Sequence, residues 1–166
     1  MDISNGEDIG VSLFTQGCDF HCPNCFNKET WDWKGGQEWN ETMQEHFIGI
    51  LNNEHIKRVS ILGGEPLHDK SLETIHKLLF EIKRRYPHKR TWLYTGYTWE
   101  EIFDNQTNDR FCAERRETIR LCDVIVDGRY IDKLKDMSLL WRGSSNQRVI
   151  DVQKSLEKGQ IVLYCE

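Results

Sequence analysis

Residues 59–85 read VSILGGEPLHDKSLETIHKLLFEIKRR and predict one repeating unit of the fold. The run opens with apolar, partly β-branched residues and stops abruptly at Gly63 and Gly64, which is typical of a buried strand end. Pro66 cannot continue the strand, and Pro87 ends the helical pattern that follows. That pattern is an apolar stripe of Leu72, Ile75, Leu78, Leu79 and Ile82. The stretch therefore predicts a strand that leads directly into a helix.

The same alternation of strand and helix continues on both sides of this stretch. Strand-like runs lie at residues 11–15, 91–95, 123–127, 149–150 and 161–164. Helical patterns lie at residues 43–51, directly after Thr98, and at residues 114–121. Because strands alternate with helices, we expect a mostly parallel sheet with right-handed crossovers, and ligands at the carboxyl ends of its strands.

Two helix starts carry the pattern of a capping box, in which two residues satisfy each other's free backbone N–H groups. Thr42 with Glu45 predicts the start of one helix, and Thr98 with Glu101 predicts the start of a shorter one. The tryptophan-rich residues 30–39 contain glycines and have no clear period, so they predict an irregular loop.

The length of the chain limits the size of the fold. It has 166 residues, of which 38% are hydrophobic and 30% are charged. This is enough for one domain with its own core, so we expect a single domain over residues 1–166. A closed eight-unit (β/α) barrel takes roughly 250 residues, so the chain can build only part of one. The predicted fold class is therefore α/β, with a mostly parallel sheet.

The composition also bears on location and partners. No basic N-terminal stretch precedes an apolar core, and no apolar run approaches the ~20 residues that cross a bilayer, so a cytoplasmic protein without a membrane partner is expected. Six cysteines without a secretory signal favour free thiols in a reducing compartment. The formal net charge of -5 argues against a nucleic-acid partner.

Residues 17–26 read GCDFHCPNCF and concentrate three of the six cysteines in one short loop. The unequal gaps between Cys18, Cys22 and Cys25 let three thiolates converge on one small inorganic cluster. A cubane iron–sulfur cluster has four irons, so a three-cysteine loop leaves one iron without a protein ligand. As in zinc enzymes, an open metal position favours a catalytic role over a structural one.

Two other interpretations of this loop stay open from the residues alone. Two of the cysteines could hold zinc with a distant partner, or they could form a redox-active dithiol. A zinc site would need a second Cys/His pair at short spacing, whereas Cys112, Cys122 and Cys165 are single and far apart. His21 lies between two of the loop cysteines, but as a fourth ligand it would close the open position.

The Cys-x3-Cys-x2-Cys spacing, with the aromatic neighbour Phe26, resembles the signature of the radical S-adenosylmethionine (SAM) superfamily. The GGEP run at residues 63–66 is similar to the superfamily's binding element for the methionine amine of SAM. The resemblance implies a [4Fe-4S] cluster held by Cys18, Cys22 and Cys25, with SAM on the unique iron. It also implies an open, partial (β/α) barrel.

Further motifs narrow the resemblance to one family. In chain order they are NG at 5–6, SLF at 12–14, GC at 17–18, CFN at 25–27, TGY at 95–97, VDGR at 126–129 and RGSSNQR at 142–148. Together they resemble the anaerobic ribonucleoside-triphosphate reductase-activating proteins, from about Asn5 to about Asp151. Residues 7–10 depart from that family's usual pattern, which is a Gly-Pro-Gly-like run ending in arginine.

The resemblance implies an activase that splits SAM reductively and takes a hydrogen atom from a glycine Cα of the reductase large subunit, leaving a stored glycyl radical. It also implies a one-electron donor similar to flavodoxin or ferredoxin. The alternatives are an activase of another glycyl-radical enzyme, an iron–sulfur electron carrier that does not use SAM, and a zinc-stabilised interaction module.

The same resemblance suggests roles for residues near the cysteine loop and the glycine pair. Asn24 and Phe26, which flank Cys25, are expected to contact the adenine of SAM. Gly63, Gly64 and Glu65 are expected to hold the methionine part, with Glu65 as the acceptor for a cationic amine.

Further residues are expected at the ends of the later strands. Asp127 and Arg129 would contact SAM, although a plain turn built on Asp127 and the glycine after it is an equal alternative. Thr95 would flank the ribose, unless it belongs to a simple strand-end turn. Arg142 and Arg148 would bind SAM or acidic groups of a partner, unless they belong to a polar loop.

Overall fold

The computed structural model describes residues 1–103 and 110–165 and contains one open sheet. Its five strands lie in the order in which they occur in the chain. They are β1 (Gly10–Thr15), β2 (Arg58–Gly63), β3 (Arg90–Tyr94), β4 (Val124–Asp127) and β5 (Arg148–Asp151). The first four are mutually parallel, and β5 pairs with β4 in the antiparallel direction. The predicted α/β class and mostly parallel sheet are confirmed.

Five α-helices connect and flank these strands in the described residues. They are α1 (Glu41–Ile50), α2 (Leu72–Arg85), α3 (Trp99–Phe103), α4 (Arg110–Arg120) and α5 (Val152–Lys158). Short 3₁₀ helices lie at Lys28–Thr30 and Asp132–Leu134. The parallel strands require crossover connections, which these helices supply. In the described ranges, no helix combines the length and the apolar character needed to cross a bilayer.

Strand alternation gives the sheet two different faces. Leu93 of β3 and Ile125 of β4 belong to the main core, which packs against the helices. Their strand neighbours point the other way, because successive side chains of a strand face opposite sides. These neighbours form a smaller cluster on a surface that we call the helix-free face. The cluster consists of the buried residues Trp92, Val124, Val126 and Val149, and the partly buried residues Tyr94, Trp141 and Tyr164 pack against it.

The main core accounts for the predicted apolar stripe of α2. Leu72, Ile75, Leu78, Leu79 and Ile82 are all buried in it. Burying each such side chain contributes about 1.5–3 kcal/mol relative to leaving it in water. The stripe therefore holds α2 against the sheet, and this fixes the direction in which the loop before α2 leaves β2.

Arg58 anchors the N-terminal segment, residues 2–8, next to the helix-free face of the sheet. Its guanidinium is fully buried and donates to the backbone carbonyls of Asp2 at 3.0 Å, Asn5 at 2.6 Å and Glu7 at 3.1 Å. It also forms an ion pair with the Asp2 carboxylate at 3.1 Å. The buried arginine thus replaces its lost hydration with protein acceptors, which is the condition for burying a charge. Residues 2–8 are held in place next to the helix-free face.

Two local predictions about element ends are wrong. The cap of α1 is Asn40, whose side chain accepts the Met43 N–H at 3.0 Å, so Thr42 and Glu45 lie inside the helix and do not form a capping box. The run at residues 161–164 forms a single bridge between Leu163 and Ile150 and no strand. Its partner β5 has only four residues and leads directly into α5, so the pairing is short: the Tyr164 N–H donates to the Val149 carbonyl at 2.8 Å, and the Asp151 N–H donates to the Val162 carbonyl at 2.9 Å.

The other helix-start prediction is confirmed. The Thr98 N–H donates to the Glu101 carboxylate at 2.8 Å, and the Glu101 N–H donates to the Thr98 hydroxyl at 3.2 Å. This reciprocal pair starts α3 directly after the end of β3. Of the tryptophan-rich residues 30–39, residues 31–39 are irregular, as predicted, whereas Thr30 ends the 3₁₀ helix Lys28–Thr30.

Candidate functional site

A cavity of about 490 Å³ lies at the carboxyl ends of the parallel strands and extends along the helix-free face. The loops that follow β1, β2, β3 and β4 all contribute to its wall. They supply Cys18, Cys22, Cys25, Gly63, Gly64, Glu65, Thr95, Gly96, Gly128 and Arg129. Carboxyl ends of parallel strands are where α/β folds bind ligands, because the loops there converge on one edge.

The cysteine loop brings its three thiols to this one cavity. Cys18 is buried, whereas Cys22 and Cys25 are partly exposed. The loop turns sharply at His21 and Asn24, whose φ angles of 46° and 56° lie in the left-handed region. The Cys25 N–H donates to the Cys22 carbonyl at 3.1 Å, which tightens the turn. The fold thus uses a compact loop, with two residues in left-handed backbone conformations, to bring three cysteines to one cavity.

The donor set of this cavity fits an iron–sulfur cluster. Burial raises the pKa of the Cys18 thiol and of the Cys22 thiol, so both would need a bound cation to become thiolates near neutral pH. Among the cavity-lining residues of the described chain there is no histidine and no fourth cysteine. Within residues 1–103 and 110–165, no three ligating side chains are close enough to share a single metal ion. The ligands of a cluster bind different irons and can lie farther apart.

The glycine pair joins the end of β2 to the cysteine loop. A Cβ at Gly64 would lie 2.3 Å from the Gly17 carbonyl oxygen, which is closer than any side chain tolerates. The Glu65 N–H donates to that same carbonyl at 2.8 Å, and the Gly64 N–H donates to the Thr15 carbonyl at 2.8 Å. Gly63 has a φ of 108°, which favours glycine. Only two glycines allow the backbone to approach the loop this closely.

Glu65 is buried, with 2% of its surface exposed, and it connects the ends of β2 and β3. Its carboxylate accepts hydrogen bonds from the Leu67 N–H at 2.9 Å, the Thr95 hydroxyl at 2.8 Å and the Gly96 N–H at 2.7 Å. Burial raises its pKa to about 7, although these hydrogen bonds act in the opposite direction. A group with a strongly shifted pKa in a cavity is a candidate functional residue.

The two residues that flank Cys25 have different surroundings. The Phe26 ring lines the cavity, is half exposed and packs edge-on against Tyr130 with 5.2 Å between ring centroids. Asn24 does not line the cavity, and its side chain donates to the Asp132 carboxylate at 2.8 Å. The Asn24 side chain thus ties the cysteine loop to the 3₁₀ helix at Asp132–Leu134. Its contact with adenine stays a prediction.

Asp127 and Arg129, which were both predicted to contact the same ligand, have different positions relative to the cavity at the end of β4. Asp127 is almost fully buried, and its carboxylate accepts the Trp99 N–H at 2.7 Å and the Arg148 Nε–H at 3.0 Å. It does not line the cavity, whereas Arg129 does. Arg148 also binds Glu100 through both terminal nitrogens, at 2.9 Å and 2.7 Å, so its donors are already engaged.

Phe20 is a cavity residue that the sequence analysis missed. Its ring packs edge-on against Tyr97 at 5.0 Å, and the Arg129 guanidinium lies 4.5 Å from its centroid. A Cβ at Gly96 would lie 2.5 Å from the same ring. An aromatic residue between two cysteines was visible in the loop, but nothing in the sequence indicated that it would pack against the end of β3.

The wall on the helix-free face is also made of residues that the sequence analysis did not assign to a site. Ser4 and Asn5 of the N-terminal segment, Tyr94, and Trp141 all line it. Arg142, for which a ligand-binding role was predicted, lines it as well. Side chains two residues apart on a strand face the same side, so the sequence could have predicted that Tyr94 lies on the same face as Trp92. The contribution of the N-terminal segment depends on the long-range contacts of Arg58.

Comparison with known proteins gives consistent results across the chain. Residues 4–150 match the family model described as a 4Fe-4S single cluster domain. An anaerobic ribonucleoside-triphosphate reductase-activating protein from Escherichia coli (strain K12) is 40% identical over 151 residues, which cover 90% of this chain and 92% of the relative. Proteins of the same name from Haemophilus influenzae and from Enterobacteria phage T4 are each 34% identical over 148 residues. These alignments cover 88% and 89% of this chain, and 90% and 87% of the respective relatives.

Proposed function

The chain belongs to the family of anaerobic ribonucleoside-triphosphate reductase-activating proteins, and on that basis we propose that it activates such a reductase by radical SAM chemistry. The proposed reaction is reductive cleavage of SAM followed by abstraction of a hydrogen atom from a glycine Cα of the large subunit. One observation carries the proposal: three thiols of the Cys-x3-Cys-x2-Cys loop line the same cavity as Gly63, Gly64 and Glu65.

Cys18, Cys22 and Cys25 would hold a [4Fe-4S] cluster and leave one iron for SAM. The cavity supports this because its three thiols converge without a fourth cysteine or a histidine among the described residues that line it. When bound, the cluster would supply the single electron that splits SAM into methionine and a 5′-deoxyadenosyl radical. The remaining residues then have to position the reactants and exclude water.

Glu65 would orient the methionine ammonium group. An ionised carboxylate offers about four acceptor positions, and Leu67, Thr95 and Gly96 use three of them. One position is therefore left for a donor from a ligand. An ammonium group nearby would favour the ionised form of Glu65, and so counteract the burial that raises its pKa to about 7. Gly63 and Gly64 would let the ligand approach the backbone.

Phe26 and Arg129 would contact other parts of SAM. The half-exposed ring of Phe26 is available to pack against adenine, together with the backbone of Asn24. Within the described residues, Arg129 has one long hydrogen bond, at 3.3 Å to Glu101, so its other N–H groups can reach an anionic group. We propose that Asp127 acts indirectly, by holding Arg148 and the start of α3. Thr95 would flank the ribose while its hydroxyl donates to Glu65.

The proposed partners are the reductase large subunit and a one-electron donor similar to flavodoxin or ferredoxin. We propose that residues 1–166 form one domain of partial-barrel type. The sheet is not closed, because β1 and β5 do not pair with each other; this supports the proposal and leaves the helix-free face accessible to a large target. The exposed side chains of Phe14 and Met137 lie at the cavity wall on this side.

Anaerobic reconstitution tests the proposal directly. The purified protein is loaded with iron and sulfide and supplied with SAM and dithionite, and 5′-deoxyadenosine and methionine are quantified by chromatography. We expect equal amounts of both products. After addition of the reductase large subunit, electron paramagnetic resonance should show a glycyl radical.

The alternative functions give different results in the same experiment. A reducible cluster without 5′-deoxyadenosine would indicate an electron carrier and refute the proposal. A colourless protein that retains zinc would indicate an interaction module. SAM cleavage without a radical on the reductase would assign the activase to another glycyl-radical enzyme.

A further inference from the structure

Asp132 connects the cysteine loop to a distant part of the chain. It begins the short 3₁₀ helix Asp132–Leu134, and its carboxylate accepts hydrogen bonds from the Asn24 side chain at 2.8 Å and the Tyr130 hydroxyl at 3.0 Å. Both hydrogen bonds lower the pKa of Asp132, so the carboxylate is ionised at neutral pH. Hydrogen bonds to an ionised acceptor are stronger than those between neutral groups. In the described chain Asp132 does not line the cavity, so it can act on a ligand there only through its partners.

The first partner, Asn24, belongs to the turn between the second and third cysteines. The Cys25 N–H donates to the Cys22 carbonyl at 3.1 Å and closes this four-residue turn. Pro23 at its second position and a positive φ of 56° at Asn24, its third, are both typical of a type II turn. A residue other than glycine adopts this left-handed backbone less readily. Asp132 thus holds the turn at the residue whose backbone conformation is least favoured.

The second partner, Tyr130, packs against Phe26, which lies on the other side of Cys25. The two rings meet edge-on with 5.2 Å between their centroids. The Lys135 ammonium group lies 5.2 Å from the centroid of the same Phe26 ring, and a Cβ at Gly143 would lie 2.7 Å from that ring. These contacts all come from residues 130–143, far from Phe26 in the chain. One carboxylate therefore supports both neighbours of Cys25, one directly and the other through a tyrosine.

The two supported residues belong to the same end of the proposed SAM site. In the proposed function the backbone of Asn24 and the ring of Phe26 contact the adenine. Glu65, which would orient the methionine ammonium group, is held instead by hydrogen bonds at the ends of β2 and β3. Groups that are already held in their binding orientation lose less conformational freedom when the ligand binds. Loss of Asp132 should therefore weaken binding of the adenine part and spare the methionine part.

We propose that Asp132 is a positioning residue that fixes the Asn24 turn and the Phe26 ring in the orientation that receives the adenine of SAM. This inference rests on the proposed function and adds to it a residue outside the cavity wall. Asp132 would take no part in electron transfer or in hydrogen abstraction. Its effect would be on the affinity for one part of the cosubstrate.

Asp132→Ala tests the inference by comparing SAM with its two fragments. The reconstituted protein is titrated anaerobically with SAM, with 5′-deoxyadenosine and with methionine, and binding is measured by calorimetry. Loss of one hydrogen bond corresponds to about a two- to tenfold rise in the dissociation constants for SAM and for 5′-deoxyadenosine. The dissociation constant for methionine and the iron content per chain should stay unchanged. A general loosening of the cysteine loop would instead weaken all three ligands and lower the iron content.

Two further variants test the route from Asp132 to the ligand. Asn24→Gly removes one hydrogen bond to Asp132 and keeps the turn, because glycine adopts a positive φ readily. Combined with Asp132→Ala, it should raise the dissociation constant for SAM by less than the product of the two single effects, since members of one network are not additive. Tyr130→Phe removes the hydroxyl and keeps the ring against Phe26, so its effect should be smaller than that of Asp132→Ala.

Asp136→Ala is the matched control. Asp136 is an exposed carboxylate in the same part of the chain, and it accepts hydrogen bonds from the Ser138 N–H at 2.9 Å and the Ser138 hydroxyl at 2.6 Å. It is not among the described residues that line the cavity. The dissociation constants for SAM and for both fragments should stay unchanged in this variant.

Every other outcome decides against the inference or against the proposed function. An unchanged dissociation constant for SAM in Asp132→Ala would overturn the inference. Equally weakened methionine binding or a loss of iron would assign Asp132 to the cysteine loop as a whole, and strictly additive effects with Asn24→Gly would show that the two residues act separately; either result overturns it. If the unsubstituted reconstituted protein does not bind SAM, the proposed function fails and the inference fails with it. The two failures are distinct, because only the second is already seen without a substitution.

Discussion

The buried carboxylate of Glu65 accepts a hydrogen bond of 2.8 Å from the Thr95 hydroxyl and so joins the ends of two neighbouring parallel strands. Glu65 follows β2, and Thr95 follows β3. The same carboxylate lines the candidate cavity. One side chain therefore has two tasks, to hold the strand ends together and to present an acceptor to a ligand.

Glu65→Gln should weaken SAM binding more than it weakens cluster assembly. The substitution removes the negative charge that would face the ammonium group, and it touches no iron. The NH₂ group of the glutamine would also face one of the three groups that donate to the Glu65 carboxylate. This loss of a hydrogen bond should lower the free energy of unfolding by about 1–3 kcal/mol. The dissociation constant for SAM, the iron content per chain and a urea unfolding curve measure the three effects. Unchanged SAM affinity would remove Glu65 from the site.

The stability of the cluster-free protein should fall as the pH rises from 4.5 to 7. The folded-state pKa of Glu65 is raised from 4.5 to about 7, so between these values the unfolded chain loses a proton that the folded chain keeps. The free energy of unfolding should therefore decrease by about 1.4 kcal/mol per pH unit in this window and level off above it. Urea unfolding at several pH values measures the slope. Glu65→Gln should remove this contribution, and an identical slope in that variant would contradict the assignment.

Alanine at any of Cys18, Cys22 or Cys25 should abolish cluster binding and SAM cleavage, because each thiol would hold a different iron. Iron and sulfide content and the yield of 5′-deoxyadenosine provide the measurement. Cys112→Ala and Cys165→Ala are the controls, since neither side chain lines the cavity, and both should retain most of the activity. The reverse ranking would show that other thiols hold the metal.

Gly64→Ala should displace the cysteine loop. The added methyl group would lie 2.3 Å from the Gly17 carbonyl oxygen, so either β2 or the loop has to move. We expect a lower melting temperature and a loss of reconstituted iron. Gly49→Ala is the matched control, because Gly49 lies in α1 and, among the described residues, no atom beyond its chain neighbours and its own helix backbone lies within 4 Å of the added methyl. It should stabilise the protein by about 0.5–1 kcal/mol. Equal effects of the two substitutions would show that the close approach at Gly64 is unimportant.

Local sequence patterns predicted most of the helices and parallel strands correctly. The strand ending at Gly63 and the apolar stripe of α2 are periodic over many residues, and burial of one face is what produces that period. Element ends were harder to predict. Asn40 caps α1 in place of Thr42, because both residue types suit a helix start and only the path of the chain before the helix selects one. The prediction of a strand at 161–164 failed for a related reason, since a strand also needs a partner of sufficient length, and β5 has only four residues.

The sequence by itself determined the chemistry available at the candidate site: three closely spaced thiols, a glycine pair and one acidic residue after a strand. Spacing along the chain is enough for this, because the cysteines belong to one short loop. Only the tertiary structure decided which distant groups join them. It turned Asp127 away from the cavity towards Arg148, packed Phe20 against Gly96, and added Tyr94 and the N-terminal segment to the wall. These contacts join residues far apart in the chain, so they depend on how the strands pack and not on any local pattern.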